Sequence, residues 1–361
     1  MPRPTLYVAI TNHGFGHVTR AASITATVKA MQPEVDVVLA TTAPRWLLDE
    51  YLPGDYDYRP VAFDIGVMQP DSLAMDLPAT LAQLQAIQAH QRETVAAEAA
   101  YLKQRGVHLV LADIPPLATA IAHAAEIPCW MVSNFGWDFI YRAFGPEFAA
   151  AADWIADCFG QCDRLFRLPF HEPMAAFPVV EAAGLTGGTP RYDPDDLRQR
   201  FSLHAPQAQT VLLTFGGLGL QSIPYDGLAR FPGWQFLTFD PNAPDLPNLF
   251  KLPRQGFRPV DVMPLCSRLV SKPGFSTFSE ACRLDLPVIT IPRSDFAEGP
   301  ILVNGLQDHS WHQVLTPAEF FQGKWDFLHQ PLQPPRTTRA IAKDGNHHIA
   351  SAIIDYLATT P

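Results

Sequence analysis

The apolar residues of this chain fall into two textures: short unbroken runs, and longer stretches where they recur every three or four positions. Leu6-Tyr7-Val8-Ala9-Ile10 is an unbroken run, the pattern of a strand buried on both faces of a parallel sheet. Beyond a glycine-bearing turn, Ala21, Ile24, Val28 and Met31 recur at helical spacing. Val35 to Ala40 is the next run, so residues 1–42 predict a strand, a turn, a helix and a parallel strand joined by a right-handed crossover. A helix over about 78–105 follows, opened by Pro78 and stopped by Gly106. The strand Val107–Ala112, a helix through Leu117–Ala125 and the strand Pro128–Val132 continue the alternation. It lapses between about 170 and 208, where prolines, Gly187-Gly188 and the acids Asp193, Asp195 and Asp196 gather. A second series then opens with Val211–Phe215 and continues through Gln235–Phe239, Arg268–Val270 and Val288–Ile291. A last helix over about 346–358 carries Ile349, Ala352, Ile353 and Tyr356 on one face.

Alternating strands and helices predict doubly wound α/β domains, here two. The expected division is a first domain over 1–170, a connection over 171–208 and a second domain over 209–345. The C-terminal helix of 346–361 is expected to pack back on the first domain. Two such sheets leave a cleft between the carboxyl ends of their strands, where open α/β sheets bind ligands.

Composition agrees with this and removes other classes. The 361 residues give room for two cores, and 47% apolar with 17% charged residues is a globular balance. A net charge of −10 disfavours nucleic acid as a partner. Five cysteines without regular spacing do not form a disulfide framework. Cys158 and Cys162 stand four apart, as a metal pair or, the stronger reading, as packing. The acids at 193–196 are either a metal-binding cluster or, more simply, the first turn of a helix. The start of the sequence lacks the charged and apolar regions of a secretory signal, and no apolar run is long enough to span a bilayer. A cytoplasmic protein is expected, with peripheral membrane contact left open.

Two turns carry candidate chemistry. Asn12-His13-Gly14-Phe15-Gly16-His17 follows the first strand; Gly14 and Gly16 let backbone approach a ligand at a helix N-terminus. A dinucleotide fingerprint would need a third glycine where Thr19 stands, and an acid after the second strand, where Ala40-Thr41-Thr42 stands. A histidine at this place can take a proton near neutral pH, or can merely cap the turn. Asp113, at the end of a neighbouring strand, either orients the imidazole or caps a helix. In the second half, Ser271-Lys272-Pro273-Gly274-Phe275-Ser276-Thr277-Phe278-Ser279-Glu280 joins a strand to a helix. Lys272, Gly274, Ser276 and Thr277 suit a diphosphate and Glu280 a ribose, but an ordinary capped helix accounts for the spacing equally well.

This second stretch resembles the donor site of GT-B glycosyltransferases. The likeness extends to the transferase that makes the lipid-linked disaccharide of peptidoglycan and to the UDP-glycosyltransferases, in which Gly-x-x-Thr-x-x-Glu holds the nucleotide sugar, as Gly274, Thr277 and Glu280 are placed here. By the same resemblance, Gly216, Gly217 and Gly219 form the glycine loop beside the phosphates, Gly256-Phe257 meets the base, and Asn304 lies on the donor side. His17 falls at the catalytic base and Asp113 at its acidic partner. Ser133 to Tyr141 and Arg293 to Pro300 look very like segments of the glycosyltransferase-like N-terminal region of plant L-arabinokinases. Where UDP-glycosyltransferases hold sugar hydroxyls with Asp-Gln or Gln-Gln after a proline, this chain has Asp295 and Glu298 after Pro292, which leaves the sugar open.

The resemblance implies the GT-B fold and inverting, metal-independent transfer of a sugar, UDP-linked for preference, to a small-molecule or lipid-linked acceptor, with no cofactor beyond the donor. His13, Trp137 and Asp138 are candidates for acceptor contact, though a buried Trp with a turn-forming Asp explains the last two as well. A nucleotide-sugar epimerase and a non-catalytic sugar-nucleotide-binding protein remain as alternatives.

Overall fold

A computed structural model describes residues 3–69, 75–216, 223–293 and 295–359. Two entirely parallel sheets organise the chain. The first contains β1 (Thr5–Ile10), β2 (Asp36–Ala40), β3 (Asp57–Arg59), β4 (Val107–Asp113), β5 (Cys129–Ser133), β6 (Arg164–Arg167) and β7 (Val180–Ala182), in the order β3-β2-β1-β4-β5-β6-β7. The second contains β8 (Thr210–Thr214), β9 (Gln235–Thr238), β10 (Leu249–Lys251), β11 (Arg268–Ser271), β12 (Val288–Thr290) and β13 (His312–Val314), in the order β10-β9-β8-β11-β12-β13. In β1 every residue is buried, as its unbroken apolar run requires.

Helices cover both faces of the sheets. They are α1 (Gly16–Met31), α2 (Arg45–Tyr51), α3 (Leu77–Arg105), α4 (Leu117–Ala125), α5 (Trp137–Arg142) and α6 (Ala149–Phe159) in the first half. The rest are α7 (Pro194–Arg200), α8 (Pro259–Val262), α9 (Phe275–Arg283), α10 (Glu298–His309), α11 (Pro317–Phe321) and α12 (Gly345–Thr359). Local chemistry sets their ends. The Asp76 carboxylate caps α3 by accepting from Ala79 N at 2.9 Å, and Gly106 closes it in the left-handed conformation at φ 65°. Asp193 caps α7 from Asp195 N at 2.8 Å, with Asp195 and Asp196 in its first turn, so the acidic cluster is a helix start. Helix α6 ends at Phe159, which leaves Cys162 off the helix that carries Cys158; both thiols are buried. Among the described residues no group of three His, Cys, Asp or Glu is placed to hold a metal ion.

The first sheet does not stop at residue 170. Strand β7 lies inside the stretch expected to be a connection, at the edge of the sheet with Val180 exposed. So short and so poorly buried an edge strand leaves no apolar signature in the sequence. Helix α12 packs on α1, burying Ile349, Ala350, Ile353 and Leu357, while Tyr356 is half-buried against Trp130 with ring centroids 5.3 Å apart. Among the described residues no helix is long and apolar enough to cross a membrane.

Candidate active site in the cleft between the sheets

Strand order reverses between β1 and β4 in one sheet and between β8 and β11 in the other. At such a point neighbouring loops diverge and open a crevice above the carboxyl ends of the strands. The turn after β1, Asp113 at the end of β4, Gly216 after β8 and the α9 turn after β11 all fall at these two points. A cleft of about 250 Å³ joins them, lined from one side by His13, Gly14, Gly16, His17 and Arg20. From the other side come Gly216, Phe257, Lys272, Gly274, Ser276, Thr277, Glu280 and Glu298. Sequence positions far apart thus meet as one site.

His17 is the first residue after Gly16 in α1, and its Nδ1 lies 2.7 Å from Asp113 Oδ1. Asp113 is fully buried and also accepts from Arg20, at 2.7 Å from Nε and 2.5 Å from a terminal nitrogen. Burial pushes the Asp113 carboxyl up, but Arg20 and then His17 pull it below the usual carboxylate range. An ionised Asp113 can only accept, so the His17 proton sits on Nδ1 and Nε2 carries the lone pair. Arg20 extends the network: its other terminal nitrogen donates to Asn134 Oδ1 at 3.0 Å, and Asn134 Nδ2 donates to Glu298 Oε1 at 2.7 Å. Burial raises the Glu298 carboxyl, against the bond from Asn134.

His13 has a different state. The backbone N–H of Val67 donates to its Nδ1 at 3.2 Å, which leaves the proton on Nε2. Burial, with the facing His17, Arg293 and Lys272, pushes it down to about 3, so it is a neutral donor and not a base. Gly66 lets it fit: a Cβ there would stand 2.5 Å from the His13 Cβ, and its φ is already 60°. Behind the histidines, Asp64 accepts from the Thr11 hydroxyl and is pushed up by burial to about 6.

On the opposite wall, α9 begins at Phe275 with Gly274 as its N-cap and no capping side chain. Its first helical-turn bond runs from Phe278 N to Gly274 O at 3.0 Å. The N–H groups of Phe275, Ser276 and Thr277 precede it, and with Lys272 they form an anion-friendly rim. The Ser276 hydroxyl donates to Gly16 O across the cleft at 2.7 Å, which corrects its assignment as a phosphate donor: its backbone N–H remains for that, its hydroxyl proton does not. Glu280 is buried on the cleft wall, accepts from Gly188 N at 2.8 Å and is pushed up by burial to about 7. Phe257 packs against Tyr192 and Phe201, with ring centroids 5.2 and 5.0 Å apart. Glu50 of α2, which the sequence did not single out, accepts from Gly256 N at 2.5 Å and pairs with Arg191 at 3.0 Å.

Three candidates stand elsewhere. Asn304 is exposed on α10 outside the cleft lining, and its carbonyl accepts from Arg336 at 2.9 Å. It lies too far along α10, whose first residue, Glu298, is the one at the cleft. Trp137 is fully buried, its ring 5.1 Å from that of His13 and stacked 5.5 Å from Tyr141, so it backs the histidines instead of facing an acceptor. Asp138 belongs to the first turn of α5 and does not line the cleft, a position that favours an acid at a helix N-terminus. Gly217 and Gly219 lie outside the described residues. The residues missed from sequence are Arg20, Asn134, Asp64 and Glu50. Arg20 had a signal, a charge three residues after His17 beside the apolar stripe of α1, and Asn134 lay within the stretch Ser133 to Tyr141 that the resemblance had marked.

Two facing Rossmann-like halves with a ligand cleft between them are the GT-B fold. Solved structures share it across nearly the whole chain. The calicheamicin glycosyltransferase CalG4 matches at TM-score 0.61 and 14% identity, covering 99% of both chains. S. aureus MnaA with UDP matches at 0.62 and 9%, covering 99% of this chain and 98% of that one. Medicago truncatula UGT71G1 with UDP-glucose matches at 0.60 and 13%, covering 97% and 93%. In sequence, the L-arabinokinase of Arabidopsis thaliana is 28% identical over 332 residues, which is 88% of this chain and 31% of that protein. The chain therefore spans about a third of the length of this curated relative. No protein-family model matches.

Proposed function

We propose that this protein is a glycosyltransferase that moves a sugar from a nucleotide-sugar donor to an acceptor hydroxyl, inverting the anomeric carbon without a metal ion. The observation that carries this reading is the hydrogen-bonded His17–Asp113 pair, facing the uncapped N-terminus of α9 across one cleft. His17 Nε2 takes the proton of the acceptor hydroxyl as its oxygen attacks the anomeric carbon. The bond from that carbon to the diphosphate breaks as the new one forms, and attack from the face opposite the leaving group inverts the centre. The departing nucleoside diphosphate takes its charge beside Lys272 and the first-turn N–H groups of α9, which supply the positive potential in place of a cation. Glu280 accepts from ribose hydroxyls and Glu298 from the sugar, while Phe257 packs against the base. UDP is the favoured nucleotide, since the S. aureus and Medicago structures that share the fold hold UDP and UDP-glucose. His13 donates from Nε2 toward the acceptor, which is a small molecule or a lipid-linked sugar, and no cofactor beyond the donor is needed. A cytoplasmic location completes the proposal.

A thermal-shift screen of nucleoside diphosphates and their sugars tests this first, because a ligand at 100 times its dissociation constant adds about 2.7 kcal/mol of stability. Failure of every nucleotide to stabilise the protein ends the reading. Given a binder, sugar transfer to a panel of hydroxyl acceptors is expected. Isomerisation of the donor with no acceptor present would point to an epimerase instead, and binding without any turnover to a sugar-nucleotide-binding protein.

A further inference from the structure

Arg20 is 2% exposed, and its guanidinium is held on several sides. Two of its nitrogens donate to the two oxygens of Asp113 and the third to Asn134, and the group lies 5.1 Å from the ring centre of Phe275 in α9. Asn134 is itself oriented by its bond to Glu298, so the plane of the guanidinium is set from both halves of the molecule. The terminal nitrogen that donates to Asp113 Oδ1 comes within 3.0 Å of His17 Nδ1, because both donate to that same oxygen. A guanidinium only donates and does not lose its proton. A charged imidazole would therefore place two cations side by side over one carboxylate.

We propose that Arg20 is a positioning residue: by holding both oxygens of Asp113 it keeps the His17 ring uncharged, with the proton on Nδ1 and Nε2 bare toward the cleft. The inference rests on the reading of His17 as the base. Without Arg20, Asp113 is a fully buried carboxylate whose remaining side-chain partner is His17, and it draws a second proton onto the ring. The ring is then an imidazolium at neutral pH and has no lone pair to offer. The other charged or titratable groups near the two histidines are Asp64, Glu298, Arg293 and Lys272, with His13 itself. Glu298 also feels Arg20, through its charge and through Asn134, so the nitrogen-15 signal of the His17 ring itself, and not the rate alone, reports the effect on the imidazole.

The test compares wild type, R20M and R20K with two readouts. Nitrogen-15 NMR of the His17 ring needs no turnover: at neutral pH, wild type and R20K show the neutral Nδ1–H form, and R20M shows both nitrogens protonated. In the rate profile, R20M loses about tenfold or more at neutral pH and regains it as pH rises, its acidic limb displaced upward by about one unit or more, while R20K stays within about half a unit. The KM for donor stays near that of wild type in R20K, which keeps a cation beside Asn134. A neutral Nδ1–H ring in R20M, or a loss that alkaline pH does not rescue, overturns the proposal. Should R20M not fold, R20Q takes its place with the same expectations, and a charged ring in R20K overturns the proposal by itself. If none of the proteins turns over any donor, the transferase reading fails while the NMR comparison still decides the role of Arg20.

Discussion

Replacing Asp113 by Asn keeps the shape of the side chain and removes its charge, at a position with no solvent access. The amide must then turn an NH2 group toward either Arg20 or His17, both of which donate to the native carboxylate. Arg20 is left buried without its counter-charge, and breaking a buried pair in this way costs about 3–5 kcal/mol. At roughly 2–4 °C per kcal/mol for domains of this size, the melting temperature falls by roughly 6–20 °C. An NH2 aimed at His17 donates to Nδ1 and moves the ring proton to Nε2, where it blocks base catalysis. The same exchange in the Ser-His-Asp triad costs about 10⁴ in kcat. Calorimetry and initial rates at saturating donor measure the two effects separately. The double variant D113N/R20M removes both charges and recovers most of the melting temperature but none of the rate. The acid dependence follows the same pair. The folded carboxyl titrates below its ordinary range, so its stabilisation is present above that range and is lost as pH falls through the folded value. D113N lacks this acid-dependent loss. A variant melting within about 1 °C of wild type would show that no buried ion pair had been broken and would refute the argument.

Other substitutions probe the remaining walls of the cleft. His17→Ala abolishes transfer and leaves nucleotide affinity, measured by calorimetric titration, near that of wild type; unchanged turnover would dismiss His17 as the base. Glu280→Gln retains the acceptor for Gly188 N–H and removes a carboxyl that burial has raised to about 7. Since that carboxyl titrates above its unfolded value, the native protein loses stability between the ordinary carboxylate range and about pH 7. E280Q is therefore more stable above neutral pH, by up to about 3 kcal/mol, equal in acid, and weaker for nucleotide. Melting curves across pH check the first part, and equal stability above neutrality would contradict it. Ser276→Ala loses the bond to Gly16 O, costing about 1 kcal/mol. Nucleotide affinity stays within about twofold in that variant, because the backbone N–H groups remain; a larger loss would return the hydroxyl to the phosphate site.

Most of the architecture could be read from local pattern. Unbroken apolar runs marked the central strands, and Pro78, Gly106 and the acids at 193–196 marked helix ends, because strand burial and capping are decided within a few residues. His17 and Asp113 were visible for a related reason: each ends or follows a central strand at a point where the sheet order reverses. The short edge strands β3, β7, β10 and β13, and β6 inside the first sheet, were not visible, since three or four residues carry too little apolar signal and β13 buries the polar His312 and Gln313. Nor could the sequence show that Arg20 and Asn134 would complete the histidine pair, or that Glu50 would reach Gly256. Asn304 and Trp137 were misplaced because motif spacing says where a residue lies along a helix, not which wall the helix presents. The state of each titratable group followed the same rule. His13 and His17 stand four residues apart in one turn, yet one is a neutral donor and the other is held by a carboxylate. The strength of a buried charge pair depends on which side chains share a water-free interior, and only the folded chain brings those partners together.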